Sequence, residues 1–174
     1  MKKINHQPPF IGCKGPSLGL FLLILALSSA SITLGQEPLS YVMPLQRMII
    51  TSYYGMRLHP LDNIEKFHRG IDLAANKDPI RSVLPGIVKD AGYKADLGNY
   101  VLSSHGDITL LYGHLSEIHV QIHQPLDAGQ IIGITGKTGK ATSEHLHFSV
   151  YINARHIDPL LFLEHIKKTI TKNK

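Results

Sequence analysis

Two short runs with many apolar residues, Asn99-Tyr-Val-Leu-Ser-Ser104 and Ile108-Thr-Leu-Leu-Tyr112, stand on either side of the turn residues His105-Gly-Asp107. Short apolar runs separated by turn residues are typical of antiparallel strands joined by hairpins. Helix-length periodicity does not interrupt them, which disfavours a βαβ architecture. The pattern predicts a mainly β domain, a small antiparallel β-sandwich or half-barrel. The further candidate strands are residues 48–52, 70–74, 80–83, 86–90, 118–122, 130–135 and 145–152.

The end of the chain departs from this strand pattern and predicts a short C-terminal helix. Asp158 can cap the helix and Pro159 suits its first turn. Apolar residues recur at helical spacing at Leu160, Leu163, Ile166 and Ile170. We expect residues 167–174 to form a basic tail that frays into solvent.

The length and the charge distribution narrow the classes of protein. A chain of 174 residues has room for one domain with a tail. Its formal net charge of +5 comes from the two ends: residues 1–35 contribute +3, and residues 167–174 contribute +4. Residues 36–166 carry 11 basic and 13 acidic side chains and are therefore slightly acidic. Nucleic acid is not the indicated partner.

Residues 1–35 are typical of a signal peptide. Lysines precede an apolar run at residues 18–27, and small residues offer cleavage sites after Ala30 or Gly35. The run is shorter than the roughly 20 residues needed to span a bilayer. We predict an exported protein, periplasmic or in the cell wall, that has no membrane association after cleavage; an uncleaved N-terminal anchor is the alternative.

The cysteine content restricts the chemistry of any metal site. Cys13 is the sole cysteine, and because it precedes the apolar run it is not a lipoprotein cysteine and would be removed with the signal. A transition-metal site in the mature chain must therefore use histidines and carboxylates.

The first candidate cluster is His68-Arg-Gly-Ile-Asp72. Four steps along a regular strand cover about 13 Å, which is too far for two side chains that share a metal at about 2 Å. Gly70 can bend the backbone and bring them together. Taken alone, a histidine and an aspartate four residues apart are more often an unrelated pair than two ligands of one metal ion.

The second cluster is His145-Leu-His147, followed by Phe148. On a strand the two rings share one face about 7 Å apart, while Leu146 and Phe148 face the core. One imidazole can bind a metal while the other stands beside the open position, and the spacing does not decide which. A solvated histidine pair is the alternative. His114, after Tyr112-Gly, lies at the predicted rim of a sheet, where functional side chains collect, although lone histidines of this kind are usually structural.

Taken together, these elements resemble the lysostaphin-type, LytM-like M23 zinc metallopeptidases of bacterial cell walls. The resemblance spans residues 48–159 and rests on the shared order and spacing of many short motifs. It implies the family's duplicated hybrid β motif, small and mostly antiparallel, with a groove across the sheet. The motifs are Ile50-Thr-Ser-Tyr-Tyr-Gly-Met-Arg57-Leu-His59-Pro60, His68-Arg-Gly-Ile-Asp72, Leu84-Pro-Gly-Ile-Val88, Gly98-Asn-Tyr-Val101, Tyr112-Gly-His114-Leu115, Ala128-Gly-Gln-Ile-Ile-Gly133, Thr138-Gly139 and His145-Leu-His147-Phe148.

The resemblance also implies the site and its cofactor. His68, Asp72 and His147 would bind one Zn²⁺ per chain, and His114 and His145 would be the unligated catalytic histidines. Three protein ligands leave a fourth position for water, as a catalytic zinc site requires. We expect His114 to act mainly as base or proton shuttle and His145 to stabilise the transition state, although the two roles could be exchanged.

Several positions depart from the family's pattern without removing a site residue. Ser149 stands where an acidic residue is common, Ser143-Glu144 where Gly-Pro often precedes the histidine pair, and Lys77-Asp78 where Gly-Thr is usual. Two further side chains have open interpretations. Arg57 could bind a carboxylate of the substrate, but a structural ion pair is favoured. Tyr112 could either pack in the core or form a hydrogen bond with substrate, and the sequence favours neither role.

The function implied is a zinc-dependent endopeptidase that hydrolyses peptide bonds in peptidoglycan stem or cross-bridge peptides. The alternative is a non-catalytic peptidoglycan-binding or amidase-activating protein on the same fold, and a third possibility is a structural zinc protein. The predicted domains are residues 1–35 as signal, 36–166 as peptidase domain and 167–174 as tail. The sequence leaves open the bond that is cut, whether a direct diaminopimelate-type cross-link or a glycine bridge, and the oligomeric state.

Overall fold

Thirteen short strands and one helix make up the part of the chain that the computed structural model describes, residues 40–58 and 64–172. The predicted signal at 1–35 with Cys13, the start of the predicted domain at 36–39, the His59-Pro60 turn and residues 173–174 lie outside the described residues. The elements are β1 Ile50–Ser52, β2 Gly55–Leu58, β3 Glu65–His68, β4 Ile71–Ala74, β5 Pro79–Arg81, β6 Gly86–Lys94, β7 Gly98–His105, β8 Ile108–Leu115, β9 Glu117–Ile118, β10 Pro125–Leu126, β11 Ile131–Ile134, β12 His145–Ile152, β13 Arg155–Ile157 and α1 Pro159–Lys172.

The described strands form one large antiparallel sheet and two small ones. The large sheet has the order β1-β4-β12-β8-β7-β6-β10, with β13 paired to β12. The small sheets are β5-β11-β9 and the hairpin β2-β3. The mainly antiparallel β fold predicted from the strand pattern is confirmed.

The β7–β8 hairpin occupies the centre of the large sheet. His105 pairs with Ile108 across the turn, and Gly106 adopts a left-handed φ of 66° there. Strand β8 lies between β7 and β12, and every residue from Leu110 to Leu115 is buried. A strand covered on both faces favours a nearly continuous apolar run, and this explains the Leu-Leu-Tyr segment.

The large sheet and the β5-β11-β9 sheet contribute to a single apolar core. Ile80 of β5 and Ile132 of β11 are fully buried in the same cluster as Leu146 and Phe148 of β12. The inward direction predicted for Leu146 and Phe148 is therefore confirmed. Their neighbours on β12 must point to the opposite face of the sheet, because side chains alternate along a strand.

Helix α1 begins as the sequence predicts and ends later. The Leu160 N–H donates to Asp158 Oδ1 at 2.9 Å, so Asp158 is the N-cap. Phe162, Leu163 and Ile166 are buried against the core. The helix continues to Lys172, so the fraying expected of residues 167–174 is not seen at residues 167–172. None of the described helical segments is both long enough and apolar enough to cross a membrane.

Candidate metal centre and active site

Strand pairing brings two of the predicted ligands together. Asp72 on β4 lies directly opposite His147 on β12. Ile71 and Leu73 are fully buried on the core side, so Asp72 points to the other face of the sheet. Directly opposed residues on one face have β-carbons about 5 Å apart. The carboxylate therefore reaches the imidazole, and Asp72 Oδ1 lies 2.9 Å from His147 Nδ1.

The third predicted ligand arrives from the neighbouring hairpin. His68 ends β3, and the chain bends through Arg69-Gly70 before β4 begins. The four-residue spacing is therefore not a single straight strand, and His68 Nε2 lies 3.2 Å from Asp72 Oδ1. A β-carbon on Gly70 would lie 2.5 Å from the carbonyl oxygen of Phe148, so only glycine permits this close approach of the bend to β12.

The three donor atoms have the spacing of a metal site. His68 Nε2 and His147 Nδ1 are 3.1 Å apart, and their distances to Asp72 Oδ1 are 3.2 Å and 2.9 Å. Two donors on a tetrahedral ion with bonds of 2.0–2.1 Å are separated by about 3.3 Å. Two imidazoles and one carboxylate are also the donor types of catalytic metal sites. The cluster could therefore hold a metal ion.

Two further histidine rings face this cluster. The His145 ring centroid lies 4.6 Å from that of His114, and His145 Nε2 lies 3.7 Å from Asp72 Oδ1. The His114 ring is also 5.9 Å from the His147 ring. The structure thus brings all five predicted site residues into one cleft. The remaining lining consists of Arg57, Lys66, Phe67, Asp96, Leu97, Lys140 and Thr142.

Backbone carbonyls fix the ring orientation of three histidines. Nδ1–H of His68 donates to the Tyr53 carbonyl, that of His114 to Thr138 and that of His145 to Ser143, each at 2.8 Å. Because a neutral imidazole carries one proton, each Nε2 is left with a free lone pair toward the cleft. These anchors were missed from the sequence, since every residue has a carbonyl group and no motif marks the ones that are used.

The position of His114 depends on an unusual backbone conformation. Its φ is 64°, in the left-handed region that non-glycine residues seldom adopt, and its N–H donates to the Leu97 carbonyl at 2.7 Å. Such conformations are concentrated at functional sites. His114 lies at a register irregularity of β8 against β7, between the pairs Leu115–Asn99 and Tyr112–Val101, and its ring faces that of His145.

Burial and charge set the protonation of the cluster. Burial lowers the pKa of His114 to about 4, so its ring is neutral at pH 7. Burial also lowers the pKa of His147. Burial alone would raise the pKa of Asp72, but the close contacts of its carboxylate with the His147 and His68 rings outweigh it and hold that pKa well below its ordinary value. The site therefore presents an ionised Asp72 beside neutral His114 and His147 rings, and a carboxylate with a neutral imidazole is what metal ligation requires.

Arg57 holds the outer oxygen of the carboxylate. Its Nη2 lies 3.4 Å from Asp72 Oδ2, whereas Oδ1 faces His68 and His147. The ion pair favoured for Arg57 is therefore confirmed. Of the two interpretations of Tyr112, core packing is the one observed. Tyr112 is fully buried, and its hydroxyl oxygen accepts the Val83 N–H at 3.0 Å.

One known protein family matches the segment that contains all five predicted site residues. Residues 66–159, more than half of the chain, match Peptidase family M23. The chain belongs to this family. Membership confirms the predicted family and the hydrolase class that goes with it.

Individual relatives of this M23 chain cover its β domain. It is 35% identical over 119 residues to the DD-carboxypeptidase/endopeptidase Mpg of Neisseria meningitidis, covering 67% of this chain and 27% of the relative. It is 34% identical over 115 residues to the peptidoglycan DD-endopeptidase ShyC of Vibrio cholerae, covering 65% and 27%. The chain thus spans about a quarter of the length of these relatives. A solved zinc-containing peptidase from Vibrio cholerae superposes with a TM-score of 0.62 at 32% identity, covering 66% of this chain and 37% of that one.

Two of the segments expected to differ from the family's pattern, Lys77-Asp78 and Ser143-Glu144, contact each other. The Lys77 N–H donates to the Glu144 carboxylate. The Asp78 N–H donates to Thr135 Oγ1 at 2.8 Å, and that hydroxyl lies 3.3 Å from Glu144 Oε1. Lys77, Asp78 and Glu144, the last of which precedes His145 in the sequence, are thus connected through hydrogen bonds, in part by way of Thr135.

Proposed function

We propose that the chain is a zinc-dependent endopeptidase that hydrolyses peptide bonds in peptidoglycan stem or cross-bridge peptides outside the cytoplasm. One observation carries the proposal: three donor atoms 2.9–3.2 Å apart face two further rings whose Nε2 atoms point into the same cleft. The name of ShyC, a peptidoglycan DD-endopeptidase, supports the substrate class, and the zinc-containing peptidase supports the choice of metal.

His68, Asp72 and His147 would hold the zinc ion. A bound zinc ion would supply Lewis-acid polarisation of the scissile carbonyl and would lower the pKa of water to about 7. The ligand set carries a single negative charge, from Asp72, which leaves the occupied site with net positive charge. That positive charge would stabilise the negative charge that develops on the oxygen of the scissile carbonyl.

His114 is suited to the role of base. Its Nδ1–H is held by the Thr138 carbonyl, so Nε2 is free to accept a proton from water. Because burial lowers its pKa to about 4, the ring is neutral at pH 7, so the lone pair that the role requires is available, and the proton that it takes up can pass to the leaving amine. His145 is suited to the electrophilic role only as an imidazolium: with Nδ1–H held by the Ser143 carbonyl, a second proton on Nε2 could be donated to a developing oxyanion, and this nitrogen lies 3.7 Å from Asp72 Oδ1.

The test uses the purified chain and isolated peptidoglycan. We expect about one zinc per chain and soluble products whose masses identify the bond that is cut. Alanine at His68, Asp72 or His147 should lower both zinc content and hydrolysis, whereas alanine at His114 or His145 should keep zinc and lose turnover. A wild-type chain that binds peptidoglycan without releasing products would refute the enzyme and favour the adaptor alternative.

A further inference from the structure

His147 is held differently from the other three rings of the site. Those rings are anchored through Nδ1 by backbone carbonyls, whereas His147 directs Nδ1 at Asp72 Oδ1 and at His68 Nε2. Its other nitrogen, Nε2, lies 3.0 Å from the hydroxyl oxygen of Ser149. The orientation of this ring therefore depends on a side chain, one that a substitution can remove.

Metal binding through Nδ1 determines which partner donates in the hydrogen bond between His147 Nε2 and Ser149 Oγ. A neutral imidazole that offers its Nδ1 lone pair to a metal must carry its proton on Nε2. A buried N–H requires an acceptor, and Ser149 is itself only 2% exposed. We propose, on the basis of the metal site proposed above, that Ser149 is the positioning residue of the centre: its oxygen accepts the His147 Nε2–H and so presents Nδ1 to the ion.

Packing restricts what can take this place. A β-carbon on Gly70 would lie 2.5 Å from Ser149 Oγ and 2.8 Å from His147 Cε1, so the bend between β3 and β4 closes directly over the pair. A carboxylate acceptor in the same place would make the ligand more basic and add negative charge. The serine hydroxyl fixes the ring without that charge, and Asp72 remains the sole anionic ligand.

The test compares an isosteric pair of variants in the full chain. Ser149→Thr retains a hydroxyl, and Ser149→Val replaces it with a methyl group of the same shape. Zinc affinity is measured by chelator competition on metal-stripped protein, without substrate. Removing such a partner costs about 10–100-fold in metal affinity, and we expect Ser149→Val to bind more weakly than Ser149→Thr by that factor. The visible spectrum of the Co²⁺-loaded protein should change with the loss of the hydroxyl.

Strand β7 offers a matched control. Ser103 is fully buried, and its hydroxyl lies 2.7 Å from His105 Nε2, the same two-residue arrangement away from the metal ligands. Ser103→Ala should leave zinc affinity unchanged. Equal affinities of the threonine and valine variants, or an equal loss in Ser103→Ala, would overturn the role of Ser149. A wild-type chain that takes up no zinc would instead refute the proposed function itself.

Discussion

Gly70 is the position where one methyl group should disable the site. It has no left-handed φ, so alanine is not excluded by backbone strain. It is excluded by contact: a β-carbon would lie 2.5 Å from Phe148 O, 2.5 Å from Ser149 Oγ and 2.8 Å from His147 Cε1. Non-bonded heavy atoms prefer about 3.5–4.0 Å. Gly70→Ala therefore requires movements of about 1 Å.

The neighbours differ in how they can move. Ser149 Oγ can rotate away, but this breaks its hydrogen bond to His147. Phe148 O belongs to the main chain of β12 and can move only if the bend and β12 separate. Overpacking of this kind costs about 1–3 kcal/mol, and the alanine recovers about 0.4–1 kcal/mol by restricting the unfolded chain. We expect the free energy of unfolding to fall by about 1–2 kcal/mol, and zinc affinity to fall at least about tenfold.

Urea unfolding of the metal-stripped chain and chelator competition measure the two effects separately. Gly92→Ala is the matched control, because Gly92 lies in β6 and its added β-carbon would have no heavy atom within 4 Å. That variant should be as stable as the wild type or slightly more stable. If Gly70→Ala matches Gly92→Ala in both stability and zinc affinity, the reasoning about close approach at the centre is refuted.

Two further predictions concern stability alone. Because the pKa of His114 is lowered to about 4 in the folded chain, the unfolded chain binds more protons between pH 6.5 and 4, so the metal-stripped protein should lose up to about 3 kcal/mol over that range. His114→Asn, which tolerates the left-handed backbone, should flatten this slope in urea titrations, and an unchanged slope would contradict the assignment. Tyr112→Phe leaves the buried Val83 N–H without its partner and should cost about 1–3 kcal/mol with zinc affinity unchanged; weaker zinc binding would instead place Tyr112 in the site.

The sequence predicted the three eight-residue strands and several short ones, but it missed the hairpin β2–β3 and the short strands β10 and β13 and stopped β6 at residue 90. Strands β7, β8 and β12 each have eight residues, enough for alternation and apolar runs to be recognised. The hairpin β2–β3 was missed because most of its residues are exposed, Met56 and Phe67 among them, so that no buried apolar run marks it. The strand expected at 118–122 shortens to Glu117–Ile118. Beyond it, the His119 N–H bonds the Ile132 carbonyl and the His123 N–H bonds the Val88 carbonyl, so the chain crosses between two sheets.

Residue types identified the candidate site, but its geometry came from contacts distant in sequence. His68 and His147 are 79 positions apart in the sequence, yet Nε2 of the first lies 3.1 Å from Nδ1 of the second. The carbonyls that orient the rings belong to residues without any chemical signature, such as Tyr53 and Thr138. A histidine motif can therefore be recognised in a sequence, whereas the tautomer of each ring depends on the fold.

The two histidines of the His145-Leu-His147 motif illustrate this dependence. Spacing places both rings on one face of β12 and does not distinguish them. Register does: His147 lies opposite Asp72, and His145 lies opposite Ala74. A slip of two residues would keep both rings on the same face and set His145 opposite Asp72, exchanging ligand and free ring. The proposed division of roles between them thus depends on the β4–β12 pairing, which the fully buried pairs Leu146–Leu73 and Phe148–Ile71 hold in place.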